Sequence, residues 1–264
     1  MSVPAITATQ LAGSKGRPVL IAGAGLGTGA KALWIDAAAY LEDFQVIGTD
    51  LPGHGASPAS AETFSVAELA AAVAGTVRAL REAGDIDPEQ PVYYAGVSLA
   101  GAVALQLGLD HPDLFAGLAS ICSAAKIGEP QAWLERAETV RSSGTPTQVV
   151  GSARRWFAPG FIQAHAEPAT RLLHTLQNAD RFAYAHCCEA LSGFDVRGRL
   201  GGIGTPVIAI AGARDQACPP ADAEATAGGV QRGRAAVVAS AAHQVPLEAP
   251  AETAALLRGF FLGA

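Results

Sequence analysis

The stretch Pro91-Val92-Tyr93-Tyr94-Ala95-Gly96-Val97-Ser98-Leu99-Ala100-Gly101-Ala102-Val103-Ala104-Leu105 decides the fold. A short run of β-formers ends in Gly-x-Ser-x-Ala-Gly, and the Ala- and Leu-rich run after it suits a helix. Strand, sharp turn and helix in that order make an elbow. The serine is held at the strand tip in a strained backbone, its hydroxyl projects into a cleft, and its neighbours must be small. Gly96 and Ala100 meet that demand. Leu99 opens the helix, so its N–H is one of the free donors of a helix start and points where an oxyanion would form. An ordinary strand-to-helix connection fits the same string, and the rest of the chain has to decide between the two.

Working outward, the chain alternates. Pro18 to Ala22 reads as a buried strand that runs into the glycine-rich Gly23-Ala24-Gly25-Leu26-Gly27-Thr28-Gly29, with a short helix near Ala32 to Leu41. Gln45 to Asp50 is the next strand and ends in the tight turn Leu51-Pro52-Gly53-His54-Gly55. Ser65 and Glu68 have capping-box spacing, and Val66, Leu69, Ala70, Val73, Val77 and Leu80 mark one buried helix face. Phe115 to Cys122 is a strand, as are Pro206 to Ala211 and Ala235 to Ala239, with helices over Ala221 to Ala227 and Glu252 to Phe261. A weak edge strand lies within Val3 to Leu11. This alternation predicts an α/β protein with a mostly parallel sheet and helices on both faces.

Between these parts the pattern changes to helix after helix: Gln131 to Arg141, Gln148 to Phe157, Pro168 to Asn178 and Arg181 to Leu191. A helical insertion in an alternating chain predicts a cap over the carboxyl edge of the sheet, where open α/β folds bind ligands. The expected organisation is a core over residues 1–125, a helical cap over 126–195 and a second core part over 196–264.

Composition narrows the function. The 264 residues are half apolar and carry a formal net charge of −6. That is enough for a large core, and it offers no basic footprint for nucleic acid. No apolar run approaches the ~18 residues of a membrane span, and no signal-type start is present, so the sequence predicts a cytoplasmic protein without a membrane partner. Cys122, Cys187, Cys188 and Cys218 lack metal or redox spacing and read as reduced thiols, Cys122 as a small hydrophobe in an apolar run. No His or Cys grouping has zinc spacing, so no metal is expected.

Asp215 and His243 each follow a predicted strand, so both fall at carboxyl ends with Ser98. The chain order Ser98, Asp215, His243 is the one expected when His243 takes the serine proton and Asp215 fixes the imidazole tautomer. His54 and His111 sit in turns, and His165, His174 and His186 fall in the helical insertion. Asp195 and Asp222 compete for the acid role, the first before a strand and the second on a helix. A rival fingerprint exists: Gly27-Thr28-Gly29-Ala30-Lys31-Ala32 fits Gly-x-Gly-x-x-Ala, and Asp50 ends the next strand, as in a dinucleotide-dependent oxidoreductase. That alternative leaves the placement of Ser98, Asp215 and His243 as coincidence. Otherwise the same loop lets backbone approach the nucleophile and makes the Leu26 N–H a second oxyanion donor.

These residues resemble the α/β-hydrolase family and, more closely, its 3-oxoadipate enol-lactonases, over about Pro18 to Leu257. The shared strings are Leu26-Gly27-Thr28, Asp50-Leu51-Pro52-Gly53-His54-Gly55, the elbow, Ala211-Gly212-Ala213-Arg214-Asp215, Ala242-His243 and Glu248-Ala249-Pro250. The more specific ones lie in the insertion: Trp133-Leu134-Glu135-Arg136, Arg155-Trp156-Phe157 and Tyr184 to Leu191. Ala100 stands where the elbow usually has a second glycine, and Gly23-Ala24-Gly25 stands where polar residues are more usual.

The resemblance implies an α/β-hydrolase fold and a cofactor-free opening of an anionic enol-lactone through an acyl-enzyme, in the catabolism of aromatic compounds. It implies Ser98, Asp215 and His243 as the catalytic residues and the Leu26 and Leu99 N–H groups as the oxyanion hole. An anionic substrate needs a local cation, for which Arg136 is the first choice, with Trp133 and Trp156 as pocket walls. A solvated arginine on the helix surface is the plain alternative for Arg136. Another ester or C–C bond hydrolase on the same scaffold is the runner-up, since fold does not fix substrate, and a silent binding protein is a third reading that the intact Ser98, Asp215 and His243 argue against. The sequence leaves a homo-oligomer open.

Overall fold

The computed structural model describes residues 2–263. Seven strands form one sheet in the order β1-β3-β2-β4-β5-β6-β7. They are β1 (Ala8–Ala12), β2 (Val19–Gly23), β3 (Gln45–Thr49), β4 (Val92–Val97), β5 (Gly117–Ile121), β6 (Val207–Gly212) and β7 (Gly233–Val238). Only β1 runs antiparallel, pairing with β3 at the edge; all other pairs are parallel. The five residues of β2, β3 and β5 are buried throughout, as apolar strands covered on both faces must be.

Helices α1 (Ala30–Ala38), α2 (Val66–Glu82) and α3 (Leu99–Asp110) follow β2, β3 and β4. Because the chain leaves β3 on one side of β2 and returns as β4 on the other, the loops after β2 and β4 open onto the same crevice at the carboxyl edge. The capping box of α2 is present: Glu68 N–H donates to Ser65 Oγ at 3.3 Å, and Ser65 N–H donates to Glu68 Oε2 at 2.7 Å. Helix α1 starts two residues earlier than the sequence suggests. Gly29 offers no side-chain cap, and Asp50, at the end of β3, accepts the Ala30 N–H at 2.6 Å.

Between β5 and β6 lie α4 (Pro130–Ser143), α5 (Val149–Trp156), α6 (Phe161–Ala164), α7 (Ala166–Asn178) and α8 (Arg181–Ser192), with 3₁₀ turns at Thr145–Gln148 and Arg197–Gly202. Helix α4 has Pro130 in its first turn and stops at Gly144, which has φ +82°. Asp180 caps α8 by accepting the Phe182 and Ala183 N–H groups at 3.0 and 2.9 Å. The expected helix Gln148 to Phe157 is shorter at its end, where Phe157 turns extended ahead of Ala158-Pro159, a pair that disfavours helical backbone. The chain then closes through α9 (Pro220–Gly229), α10 (Val245–Glu248) and α11 (Pro250–Phe261).

This helical layer is tied to the sheet edge at several points. Thr175 Oγ1 donates to Gly27 O at 3.1 Å, Asp180 N–H to Gly53 O at 2.9 Å, and Val196 N–H to Ala125 O at 2.8 Å. Arg171 pairs with Asp36 of α1. No helix among the described residues is long and apolar enough to cross a membrane.

Candidate active site

Ser98 sits between β4 and α3 with φ 57° and ψ −117°, a conformation that costs an L-residue ~1–3 kcal/mol and persists only where its surroundings enforce it. Here they do: Ser98 N–H donates to Ile121 O at 2.8 Å, and Ser98 O accepts the Ala102 N–H at 3.0 Å. The methyl of Ala100 fits because its neighbours lack one; a Cβ on Gly23 or on Gly96 would lie 2.9 Å from it. Gly25 brings the loop after β2 against the elbow, since a Cβ there would lie 3.2 Å from the Ser98 Cβ. Leu26 therefore lines the same cavity as Ser98. Leu99 is fully buried at the first turn of α3, and neither its N–H nor that of Leu26 meets a protein acceptor among the described residues.

Asp215 and His243 come together from the loops after β6 and β7. His243 Nδ1 lies 2.7 Å from Asp215 Oδ2, and the two residues are 5% and 4% exposed. Asp215 Oδ1 accepts the Ala217 and Cys218 N–H groups at 2.8 and 3.1 Å. His243 N–H donates to Trp156 O at 3.1 Å, which binds the loop to the helical layer. Glu248 holds both flanks of the histidine: its Oε1 accepts the Ala242 and Gln244 N–H groups at 3.0 Å each, and its Oε2 accepts the Ala158 N–H at 2.7 Å. Burial pushes the Glu248 carboxyl upward, against these three bonds.

The cavity in front of Ser98 measures about 220 Å³. Its walls include Leu26, Ser98 and His243 from the sheet edge and Trp133, Arg136, Arg155, Trp156 and Tyr184 from the helical layer. Trp133 anchors to Ile127 O through Nε1 at 2.6 Å, and the Arg136 guanidinium lies over its ring at 4.7 Å from the centroid. Tyr184 stands on the same wall, and its burial drives the pKa of its phenol up. Desolvation, and after it the charge of Arg136, lowers the Arg155 pKa from its ordinary value. Neither arginine forms an ion pair among the described residues, and Glu129, the acid on the cavity wall, is paired with Lys126 at 2.9 Å.

Every residue singled out in the sequence for catalysis or binding is at this cavity or behind it. Of the competing acids, Asp195 is a surface residue bonded to Arg197, which holds its carboxyl down to about 2, and Asp222 lies in the first turn of α9, where burial and then the charge of Asp215 push its carboxyl up. The glycine-rich loop suits a pyrophosphate poorly, because the first N–H of α1, that of Ala30, is already bonded to the Asp50 carboxylate, whose negative charge sits at the helix start and whose second oxygen accepts the Ala56 N–H at 2.8 Å. His54 is a buried structural ring, 2.8 Å from Pro52 O and stacked on Tyr184.

Sequence reasoning missed the placement of Cys122, Glu248 and Gln244. Cys122 directly follows β5 with φ 48°, and its sulfur lies with an Asp215 carboxylate oxygen and a His243 ring nitrogen inside a 4.8 Å group. Such a trio has ligand atoms for a metal, but its capacity is spent. Burial holds the thiol well above its usual pKa, it donates to Ala242 O at 3.5 Å, and Asp215 and His243 are bonded to each other. Glu248 stood within a recognised string without a role. Gln244 carried no signal beyond following His243.

Comparisons with known proteins identify the family. Residues 17–143 match the family model described as alpha/beta hydrolase fold. The chain is 36% identical over 213 residues to 3-oxoadipate enol-lactonase 2 of Acinetobacter baylyi, covering 80% of this chain and 77% of that protein. It is 30% identical to a pimeloyl-[acyl-carrier protein] methyl ester esterase of Methylococcus capsulatus, covering 76% and 77% of the two chains. Among solved structures, the enol-lactonase of Burkholderia xenovorans LB400 superposes with a TM-score of 0.87 at 24% identity, covering 97% of this chain and 96% of that one. On the strength of its sheet order, its elbow and these matches, the chain belongs to the α/β-hydrolase family.

Proposed function

We propose that this hydrolase opens an anionic enol-lactone of the 3-oxoadipate type by a Ser-His-Asp acyl-enzyme mechanism, in the catabolism of aromatic compounds. The observation that carries the reading is the composition of one cavity: a strained serine and a buried His–Asp pair on one side, two guanidiniums that form no ion pair among the described residues on the other. The 36% identity to an enol-lactonase supports the choice of substrate class. Four free, buried cysteines fit a reducing, cytoplasmic setting.

In this mechanism Ser98 Oγ attacks the lactone carbonyl while His243 Nε2 takes its proton, and Asp215 stabilises the imidazolium through Nδ1. The Leu26 and Leu99 N–H groups receive the oxyanion. Collapse breaks the ring C–O bond, the electron pair goes to the enol oxygen, and His243 returns the proton; the enol then relaxes to a ketone. Water activated by His243 cleaves the acyl-enzyme and leaves the dicarboxylate. Arg136 holds the substrate carboxylate, and Trp133 and Trp156 enclose the ring.

A panel of lactones and simple esters tests this, with ultraviolet loss of the enol-lactone as readout. The expected result is a kcat/KM for the anionic enol-lactone well above that for neutral lactones and for methyl esters of long acids. Preference for the methyl esters would move the assignment to a carboxylic-ester hydrolase.

A further inference from the structure

Gln244 directly follows His243, lines the cavity that holds Ser98, and is only 2% exposed. Its backbone is spent: the N–H goes to Glu248, and the carbonyl accepts the Leu247 and Glu248 N–H groups at 2.8 and 2.9 Å. Its side chain is not, for Oε1 is buried without a hydrogen-bond partner. An unmatched buried amide opposes folding, and an apolar residue of the same volume would avoid that cost. The two ends of a carboxamide exchange by a half-turn of the terminal bond, so the group can present either N–H or carbonyl oxygen to a bound molecule.

Position narrows what it meets. The oxyanion donors come from the loops after β2 and β4, whereas His243 comes from the loop after β7 and has to reach the oxygen that departs. We propose that Gln244 is a substrate-contacting residue that donates a hydrogen bond to the leaving-group oxygen of the scissile ester or lactone. As the C–O bond breaks, its electron pair moves onto that oxygen, and a fixed N–H there stabilises the charge until His243 delivers the proton. An enolate suits such a device because it bears its charge on an oxygen that an amide N–H can reach. The assignment rests on the acyl-enzyme reading of Ser98 and His243 and not on the identity of the lactone.

The test is a series of aryl monoesters of one short dicarboxylic acid, from nitrophenyl to unsubstituted phenyl, hydrolysed by the wild type and by Gln244→Met. Acylation governs kcat/KM, and the acyl group is constant. With the amide gone, the phenyl ester should lose roughly 10- to 100-fold while the nitrophenyl ester, whose leaving group needs little help, stays within about threefold. The dependence of log kcat/KM on leaving-group pKa therefore steepens. Gln244→Ala, which cannot overpack the cavity, should steepen it the same way. An equal loss along the series in both variants, or no loss, overturns the proposal. Steepening in an enzyme that ignores the enol-lactone would retain it and overturn the lactone assignment instead.

Discussion

The sheet edge and the helical layer meet at one cavity, but they hold their polar groups in opposite ways. At the sheet edge every member of the proposed triad is over-determined. Asp215 accepts three hydrogen bonds, His243 is held by its ring, its own N–H and the two amides that Glu248 clamps, and the Ser98 backbone is pinned on both sides. In the helical layer Arg136 and Arg155 are half-buried, close enough for one to depress the other's pKa, and in no ion pair among the described residues. Groups that make and break bonds need fixed geometry before substrate arrives. Groups that recognise a charge gain most when they are left unmatched until it arrives. Under the proposed mechanism this difference separates reaction from specificity in space.

Mutations on the two sides should fall into different classes, and the largest effect belongs to the sheet edge. Ser98→Ala should lower kcat on the order of 10⁶-fold with the melting temperature retained or raised, because removing the nucleophile leaves the fold's contacts in place. Steady-state kinetics together with thermal melting checks this, and an active variant would remove the acyl-enzyme mechanism. Asp215→Asn should cost about 10⁴-fold in kcat, less than loss of the serine, because the imidazole is misoriented and not deleted.

The helical layer predicts selective losses. Arg136→Ala should raise KM for an anionic lactone by roughly 10- to 100-fold and leave a neutral ester such as nitrophenyl acetate nearly untouched. Equal losses on both substrates would make Arg136 a support of α4 and would erase the contrast between the two regions.

The smallest effect is expected where neither region is involved. Asp195→Asn should leave kcat/KM unchanged, since that carboxylate is bonded to Arg197 at the surface. Its folded pKa, held down to about 2 by Arg197, lies below the ordinary carboxylate value. Any stability it adds is therefore present above about pH 4 and lost as pH falls toward 2. Melting curves of the two proteins should converge over that interval, with little difference at any pH because the pair is exposed and screened.

The alternation of strands and helices, the elbow, the Ser65–Glu68 cap and the order Ser98, Asp215, His243 were legible in the sequence because each rests on local chemistry. Periodicity, small residues at a strained turn and side-chain spacing within a few positions need no knowledge of what packs against them. Helix α1 and β7 were placed less well. The first is capped by Asp50 twenty residues later, and the second is an exposed edge strand whose outward residues blur the apolar signal.

Only the tertiary structure decided which Gly-rich loop faces which ligand, because the carboxylate that fills the α1 start comes from the end of another strand. It likewise placed Arg155 beside Arg136 across two helices and Cys122 behind Asp215, and it left the Gln244 amide without a partner. Hydrogen-bond satisfaction and charge pairing are properties of the whole neighbourhood. A sequence states which groups a chain owns, and only packing determines which of them remain unmatched for a substrate to complete.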